Sequence, residues 1–125
     1  MKEKHNRKVL IVDDCIELVE LFSSVLKRQK YEVSAATRGE EAVDVAQKER
    51  PSLIILDVDL PDIDGRAVAA RLAEDDDTSG IPIVFLTGLI RKSEESLSSA
   101  RLKHTTLSKP ITVDELLRVV DSYFI

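Results

Sequence analysis

Residues 53–57 read Leu-Ile-Ile-Leu-Asp, an uninterrupted apolar run that ends at an acid. Two other runs have the same form: residues 9–12 end just before Asp13, and residues 83–86 end just before Thr87. Strands that are apolar on both faces are typical of the middle of a parallel sheet covered by helices. The three runs therefore predict three central strands, each with a polar residue at its carboxyl end.

Two weaker stretches predict the edges of the same sheet. Residues 31–36 alternate in polarity, and residues 105–108 are short and polar. Helical patterns separate the five strands. The predicted helices cover residues 16 to about 29, a segment that begins at Thr37, residues 65 to 73, a weak polar segment at 93–101, and a segment that begins at Thr112.

The predicted helices also carry signals for their ends and buried faces. Thr37 with Glu40, and Thr112 with Glu115, have the spacing of a capping box. The acidic run 75–77 is interpreted as a solvated loop that ends the third helix, because acids disfavour a helix carboxyl end. Apolar side chains at helical spacing predict the inward face of the first helix: Leu18, Leu21, Phe22, Val25 and Leu26.

The order of elements, a strand and then a helix five times over, predicts an α/β fold with an open parallel sheet and helices on both faces. Right-handed crossovers leave few arrangements, and placing the two polar strands at the edges leads to strand order 2-1-3-4-5. This is the flavodoxin-like, doubly wound (βα)5 arrangement. The length predicts a single domain over residues 1–125, with a folded core from about 7 to 124.

The composition is that of an ordinary soluble domain. The net charge is -5 and 43% of the residues are hydrophobic, so neither direct nucleic acid binding nor attachment to an anionic membrane is expected. The basic segment 1–8 is followed by only four apolar residues, too few for a signal peptide or a membrane span. Cys15 is the only cysteine, which excludes an intrachain disulfide and favours a location in the cytoplasm.

Polar residues collect where ligands bind in this fold, outside the carboxyl ends of the strands. Asp13 and Asp14 follow the first strand, Asp57 ends the third, Thr87 ends the fourth, and Lys109 follows the fifth. Nearby carboxylates repel one another, and a hard divalent cation such as magnesium removes that repulsion. A carboxylate is also a competent nucleophile toward phosphorus. The cluster therefore predicts magnesium-assisted phosphoryl chemistry.

Taken together, these residues resemble the receiver domains of response regulators in two-component signalling, including the chemotaxis-type single-domain regulators. The resemblance spans essentially the whole chain. It implies a phosphoryl-accepting domain that is not an enzyme beyond its own phosphotransfer and dephosphorylation. The matching residues are Asp13-Asp14, Asp57, Leu60-Pro61, Gly65, Thr87-Gly88 and Lys109-Pro110.

The resemblance implies a role for each acid of the cluster. Asp57 would accept the phosphoryl group from the phosphohistidine of a histidine kinase or phosphotransfer protein. Asp14 and Asp57 would bind Mg2+ directly, with Mn2+ as an alternative. The backbone carbonyl of Asp59 would be a further ligand, and Asp13 would act through water.

The resemblance also implies a switch. Thr87 would move toward the phosphoryl group and change the face formed by the fourth predicted helix, the fifth strand and the last helix, where an unidentified target protein would bind. Lys109 would contact a phosphoryl oxygen, and its peptide bond with Pro110 would be cis. A monomer or a weak, phosphorylation-dependent dimer is expected.

Three features depart from the family pattern. Thr106 stands where the family usually has an aromatic residue that rotates on activation, so the output signal is expected to differ. Leu102-Lys103 stands where a Gly-Ala pair is common, which predicts an altered or longer end of the fourth helix. Asp59 and Leu89 occupy the two positions that flank the water that hydrolyses the acyl phosphate, and they are predicted to set the phosphoryl lifetime.

Two other functions remain open on the sequence. The first is a receiver-like interaction module that does not use phosphate, which Thr106 keeps in view. The second is a magnesium-dependent phosphohydrolase, because Asp57-Val58-Asp59 resembles the nucleophile motif of haloacid-dehalogenase-like phosphatases. That motif should end in Thr or Val, whereas this one ends in Pro61, and its nucleophile should lie on the first strand.

Overall fold

The computed structural model describes residues 7–88 and 105–124 of the chain. Over these two ranges, five parallel strands form one sheet in the order β2-β1-β3-β4-β5, as predicted. The strands are β1 Lys8–Val12, β2 Glu32–Ala36, β3 Leu53–Asp57, β4 Ile83–Thr87 and β5 Thr105–Ser108. The helices in the same ranges are α1 Ile16–Arg28, α2 Gly39–Glu49, α3 Gly65–Glu74 and a C-terminal helix Val113–Ser122.

Several sequence-based predictions lie outside the described residues. They are the polar helix at 93–101, the turn at Leu102-Lys103, and the position of Leu89 beside the site. None of the helices in the described part of the chain is long and apolar enough to cross a membrane.

The central strands are buried on both faces, as their apolar runs predict. Every residue of β3 and β4 is buried, whereas the edge strand β2 exposes Glu32 and Ala35. Side chains alternate between two apolar clusters, so that Leu56 packs with α2 and α3 on one face and Ile55 packs with α1 and the C-terminal helix on the other. Full burial of such a side chain stabilises the fold by roughly 1.5–3 kcal/mol, which holds the strand ends in place.

The predicted inward face of α1 is partly wrong. Its buried residues are Val19, Phe22 and Leu26, while Leu21 is 51% exposed and Ile16 is 60% exposed. Successive residues of a helix are rotated by about 100°, and Leu21 lies at the exposed edge of the apolar face whose buried part includes Phe22. The helix therefore presents apolar side chains to solvent as well as to the core.

The two predicted capping boxes have different outcomes. Thr112 and Glu115 form the box reciprocally at the start of the C-terminal helix. The box at Thr37 and Glu40 is wrong, because α2 begins after Arg38, which makes no side-chain cap hydrogen bond. The first amide groups of α2 instead donate to a carboxylate from a distant loop.

Candidate functional site

Three carboxylates meet at the carboxyl edge of the sheet. Asp13 follows β1, Asp14 comes next, and Asp57 is the last residue of β3. One oxygen from each lies within 4.8 Å of the others. Asp13 and Asp57 are buried, at 0% and 2% exposure, whereas Asp14 is exposed. The arrangement is therefore a small acidic bowl with a buried floor and one solvent-facing carboxylate.

Lys109 supplies the positive charge of this bowl. Its Nζ lies 2.8 Å from Oδ2 of Asp13 and 3.5 Å from Oδ2 of Asp57. The backbone N–H of Lys109 donates to the carbonyl of Thr87 at 2.9 Å, which attaches the segment after β5 to the end of β4. The Lys109–Pro110 peptide bond is cis, as the resemblance implies.

Burial and charge shift the pKa values of two groups in the bowl. Burial raises the pKa of Asp57, the Asp13 carboxylate raises it further, and the Asp59 amide and the Lys109 ammonium oppose this only in part. Burial by itself would lower the pKa of Lys109, but Asp13 and Asp57 outweigh it and the net shift is upward. The Lys109 ammonium thus offsets only part of the effect of burial and of Asp13 on the pKa of Asp57.

The donor set fits a hard divalent cation. The three acids each offer a carboxylate oxygen, which Mg2+ prefers, and the exposed Asp14 leaves the bowl open to solvent. Oδ2 of Asp13 is buried and lies 2.8 Å from the Lys109 ammonium.

Two further residues named from the sequence lie beside the bowl. Thr87 ends β4, pairs in register with Ser108, and is 9% exposed. Asp59 is exposed, and its backbone N–H donates to Oδ1 of Asp57 at 3.2 Å. Asp57 therefore enters the bowl with one oxygen already hydrogen-bonded by the loop that follows it.

Gly65 lets this loop close tightly against the end of β3. Its N–H donates to the carbonyl of Val58 at 2.8 Å. A Cβ at this position would lie 2.3 Å from the carbonyl oxygen of Asp57 and 2.8 Å from Cα of Val58. Only glycine permits so close an approach to backbone, so Gly65 helps to set the position of the Asp57 main chain.

Asp62 and Asp64 cap helices, a role that the sequence pattern did not predict for either of them. Asp64 caps α3 by accepting from the N–H of Arg66 at 2.7 Å. Asp62 accepts from the N–H groups of Gly39 and Glu40, at 2.7 and 2.9 Å, and so caps α2. The position of Asp64 directly before a predicted helix is a usable signal, whereas the partners of Asp62 are more than 20 residues away in sequence.

Known proteins resemble the chain over nearly its whole length. A family model described as response regulator receiver domain matches residues 9–121. The polar-differentiation response regulator DivK of Brucella anthropi is 32% identical over 117 residues, which cover 94% of this chain and 95% of DivK. The chain is thus similar to a response regulator of nearly equal length.

Solved structures show the same likeness in three dimensions. The chemotaxis protein CheY4 of Vibrio cholerae superposes with a TM-score of 0.83 at 31% identity, covering 93% of this chain and 97% of that one. The BeF3-activated N-terminal receiver domain of Klebsiella pneumoniae RstA has a TM-score of 0.79 at 27% identity, covering 93% and 97%.

Proposed function

This chain belongs to the response regulator receiver domain family, and on that premise we propose that Asp57 accepts a phosphoryl group from the phosphohistidine of a histidine kinase or phosphotransfer protein. The main support for this proposal is the geometry of the acidic bowl. Asp57 is 2% exposed at the end of a central strand, within 4.8 Å of two other carboxylates and 3.5 Å from an ammonium.

The same residues support a magnesium site. Asp14, Asp57 and the backbone carbonyl of Asp59 would hold Mg2+ or Mn2+ directly, and Asp13 would hold it through water. When bound, the cation would neutralise the carboxylates and the phosphoryl oxygens. Because burial and Asp13 raise the pKa of Asp57, this neutralisation also favours the ionised carboxylate that the reaction needs.

In the proposed transfer, a carboxylate oxygen of Asp57 attacks phosphorus. The bond between phosphorus and the donor's histidine nitrogen breaks, and its electron pair returns to that nitrogen. The product is an acyl phosphate on Asp57. Lys109 is suited to the new group, because its ammonium already lies between Asp13 and Asp57 and can exchange one anionic partner for another.

Thr87 is the proposed sensor of the phosphoryl group. It ends the strand next to β3, so its hydroxyl can approach an oxygen added to Asp57, and its carbonyl is bonded to Lys109. The proposed output is a change in the face made by β5, the C-terminal helix and residues 93–101. Residues 93–101 lie outside the described residues. Thr106 in β5 replaces the usual aromatic side chain of this face.

The surface beside the bowl suits a protein donor. Ile16 and Leu21 of α1 are 60% and 51% exposed, and an open cavity of about 560 Å3 lies between α1 and the segment after β5. Leu21, Lys109 and Pro110 are among its lining residues. An apolar patch next to the phosphoacceptor is what a docking phosphotransfer protein would cover. We place this single domain, residues 1–125, in the cytoplasm as a monomer or a weak phosphorylation-dependent dimer.

A phosphate-independent interaction module is the second candidate, and Thr106 is the observation that favours it. The position of Asp57 argues against the phosphohydrolase alternative, because Asp57 ends β3 and not the first strand.

The deciding experiment uses a small phosphodonor. Incubation with Mg2+ and acetyl phosphate, followed by intact mass measurement, should show one phosphoryl adduct. The adduct should disappear in EDTA and in Asp57→Asn, but persist in Asp44→Asn, which changes an exposed acid of α2. An unmodified wild-type chain under these conditions would favour the interaction module, and rapid turnover of an unrelated phosphate ester would favour the hydrolase.

A further inference from the structure

The loop of residues 58–64 carries three acids after Asp57, and two of them bind helix starts. Asp64 makes a local hydrogen bond, because its carboxylate accepts from the N–H of Arg66 at the start of α3. Asp62 reaches a different element, because its two carboxylate oxygens accept separately from Gly39 and Glu40 at the start of α2. The middle of the loop is thereby attached to α2.

The attachment is electrostatically strong for an exposed group. The amide groups at a helix start are unpaired within the helix and carry partial positive charge. Hydrogen bonds from Glu40 and Gly39 lower the pKa of Asp62 to about 2. Asp62 therefore stays ionised at neutral pH, and its charge faces the start of α2.

An apolar contact reinforces the same junction. Gly39 is buried at the first turn of α2, and a Cβ there would lie 2.3 Å from Cγ1 of Ile63. The side chain of Ile63 thus packs directly over the Gly39 backbone beside the Asp62 hydrogen bonds. We call the contacts of Asp62 and Ile63 with the start of α2 the loop clamp.

The start of the loop is hydrogen-bonded to the last residue of β3, and the two ends of the loop are hydrogen-bonded to each other. At its start, the N–H of Asp59 donates to Oδ1 of Asp57 at 3.2 Å. At its finish, the N–H of Gly65 donates to the carbonyl of Val58 at 2.8 Å. The loop clamp joins the segment between these ends to α2, and Asp59 lies three residues before Asp62.

We infer that Asp62 is a positioning residue for the metal site: by clamping the loop to α2, it holds the Asp59 peptide where its carbonyl can serve as a ligand. This inference rests on the proposed function, which assigns that carbonyl to Mg2+. Outer groups that orient metal ligands commonly change metal affinity when they are removed.

The test measures metal binding directly. Isothermal titration of the unphosphorylated full chain with Mg2+ and Mn2+ should give a dissociation constant about tenfold higher in Asp62→Ala than in wild type. Asp62→Asn should lie between them, because its amide has one acceptor oxygen. Amide exchange by NMR should be faster at Gly39 and Glu40 in Asp62→Ala.

A matched control separates positioning from general destabilisation. Thr112→Ala also removes a helix cap, on the C-terminal helix away from the loop, and should leave both metal dissociation constants unchanged. With acetyl phosphate, Asp62→Ala should need more Mg2+ for half-maximal phosphorylation, while the limiting rate at saturating Mg2+ should stay within about twofold, as expected when only a ligand's positioning is lost.

Three results would overturn the inference. They are wild-type metal affinity in Asp62→Ala, an equal loss of affinity in Thr112→Ala, and unchanged exchange at Gly39 and Glu40. A different result would identify failure of the proposed function: a wild-type chain that binds neither cation has no metal site for Asp62 to support.

Discussion

The Lys109 ammonium lies closer to Asp13, at 2.8 Å, than to Asp57, at 3.5 Å. In this state the cation of the bowl is thus engaged mainly by the carboxylate that is not the proposed acceptor. Asp57 keeps a raised pKa because burial and Asp13 outweigh the Asp59 amide and Lys109. The opposing effects of Asp13 and Lys109 on the pKa of Asp57 can be measured directly.

Removing the negative charge of Asp13 and removing the positive charge of Lys109 should shift the pKa of Asp57 in opposite directions. Asp13→Asn removes a charge that raises the pKa of Asp57, so the pKa should fall. Lys109→Met removes a charge that lowers it, so the pKa should rise. Carboxyl carbon chemical shifts measured against pH in metal-free buffer would report both, and a common direction in the two variants would contradict the assignment of these neighbours.

The raised pKa of Asp57 predicts a pH-dependent loss of stability without metal. The folded state holds this proton to a higher pH than the unfolded state, so the free energy of unfolding should fall as pH rises from the ordinary value of 3.8 through the folded-state pKa. Mg2+ at neutral pH should restore stability by binding the folded state. Thermal melts in EDTA and in Mg2+ check this.

The control for that prediction is Asp57→Asn, which has no proton to lose. As pH rises above 3.8, the melting temperature of Asp57→Asn should decrease less than that of the wild type. Mg2+ should also raise the melting temperature of the variant by a smaller amount. Identical pH profiles for wild type and Asp57→Asn would refute the linkage.

Asp62 predicts the opposite pH dependence. Its folded-state pKa is about 2, below the ordinary 3.8, so its stabilisation is present above the unfolded value and is lost as pH falls through that interval. Asp62→Asn should therefore lose less stability than wild type between pH 4 and pH 2. Urea unfolding across this range is the measurement, and parallel wild-type and variant curves would count against it.

Gly65→Ala should damage both stability and phosphorylation. The added Cβ would lie 2.3 Å from the Asp57 carbonyl oxygen, so the backbone that carries the acceptor must shift, at a cost of about 1–3 kcal/mol. The phosphorylation rate at saturating Mg2+ should fall as well, because the proposed nucleophile moves.

Gly80→Ala is the matched control, because a Cβ at that position meets nothing within 4 Å. It should be neutral or stabilise by up to about 1 kcal/mol through the unfolded state. Equal unfolding midpoints for the two alanine variants would show that the close approach at Gly65 has no energetic effect.

The lifetime of the proposed acyl phosphate should depend on residues 59 and 89. Asp59 is exposed and joined to Asp57 through its amide, whereas Leu89 lies outside the described residues. Asp59→Asn and Leu89→Glu should each change the dephosphorylation rate, measured as loss of the phosphoryl adduct after the donor is removed. An unchanged rate in both variants would remove these positions from the account.

The sequence alone was enough to predict the sheet. The apolar runs of β1, β3 and β4 identify central strands because burial on both faces demands apolar side chains throughout. The polar edges and right-handed crossovers then restrict the strand order. The three acids of the bowl were also predicted, because each follows a strand whose end lies at the same edge of the sheet.

Only the tertiary structure decided how those acids are engaged and how the loop is held. The unequal distances from Lys109 to Asp13 and Asp57 depend on side-chain positions, which the strand order does not determine. Local pattern predicted that Thr37 and Glu40 would cap α2, but Asp62 caps it from 22 and 23 residues away. A carboxylate accepts from whichever unpaired amide groups the fold brings within reach, and that proximity exists only after the chain has packed.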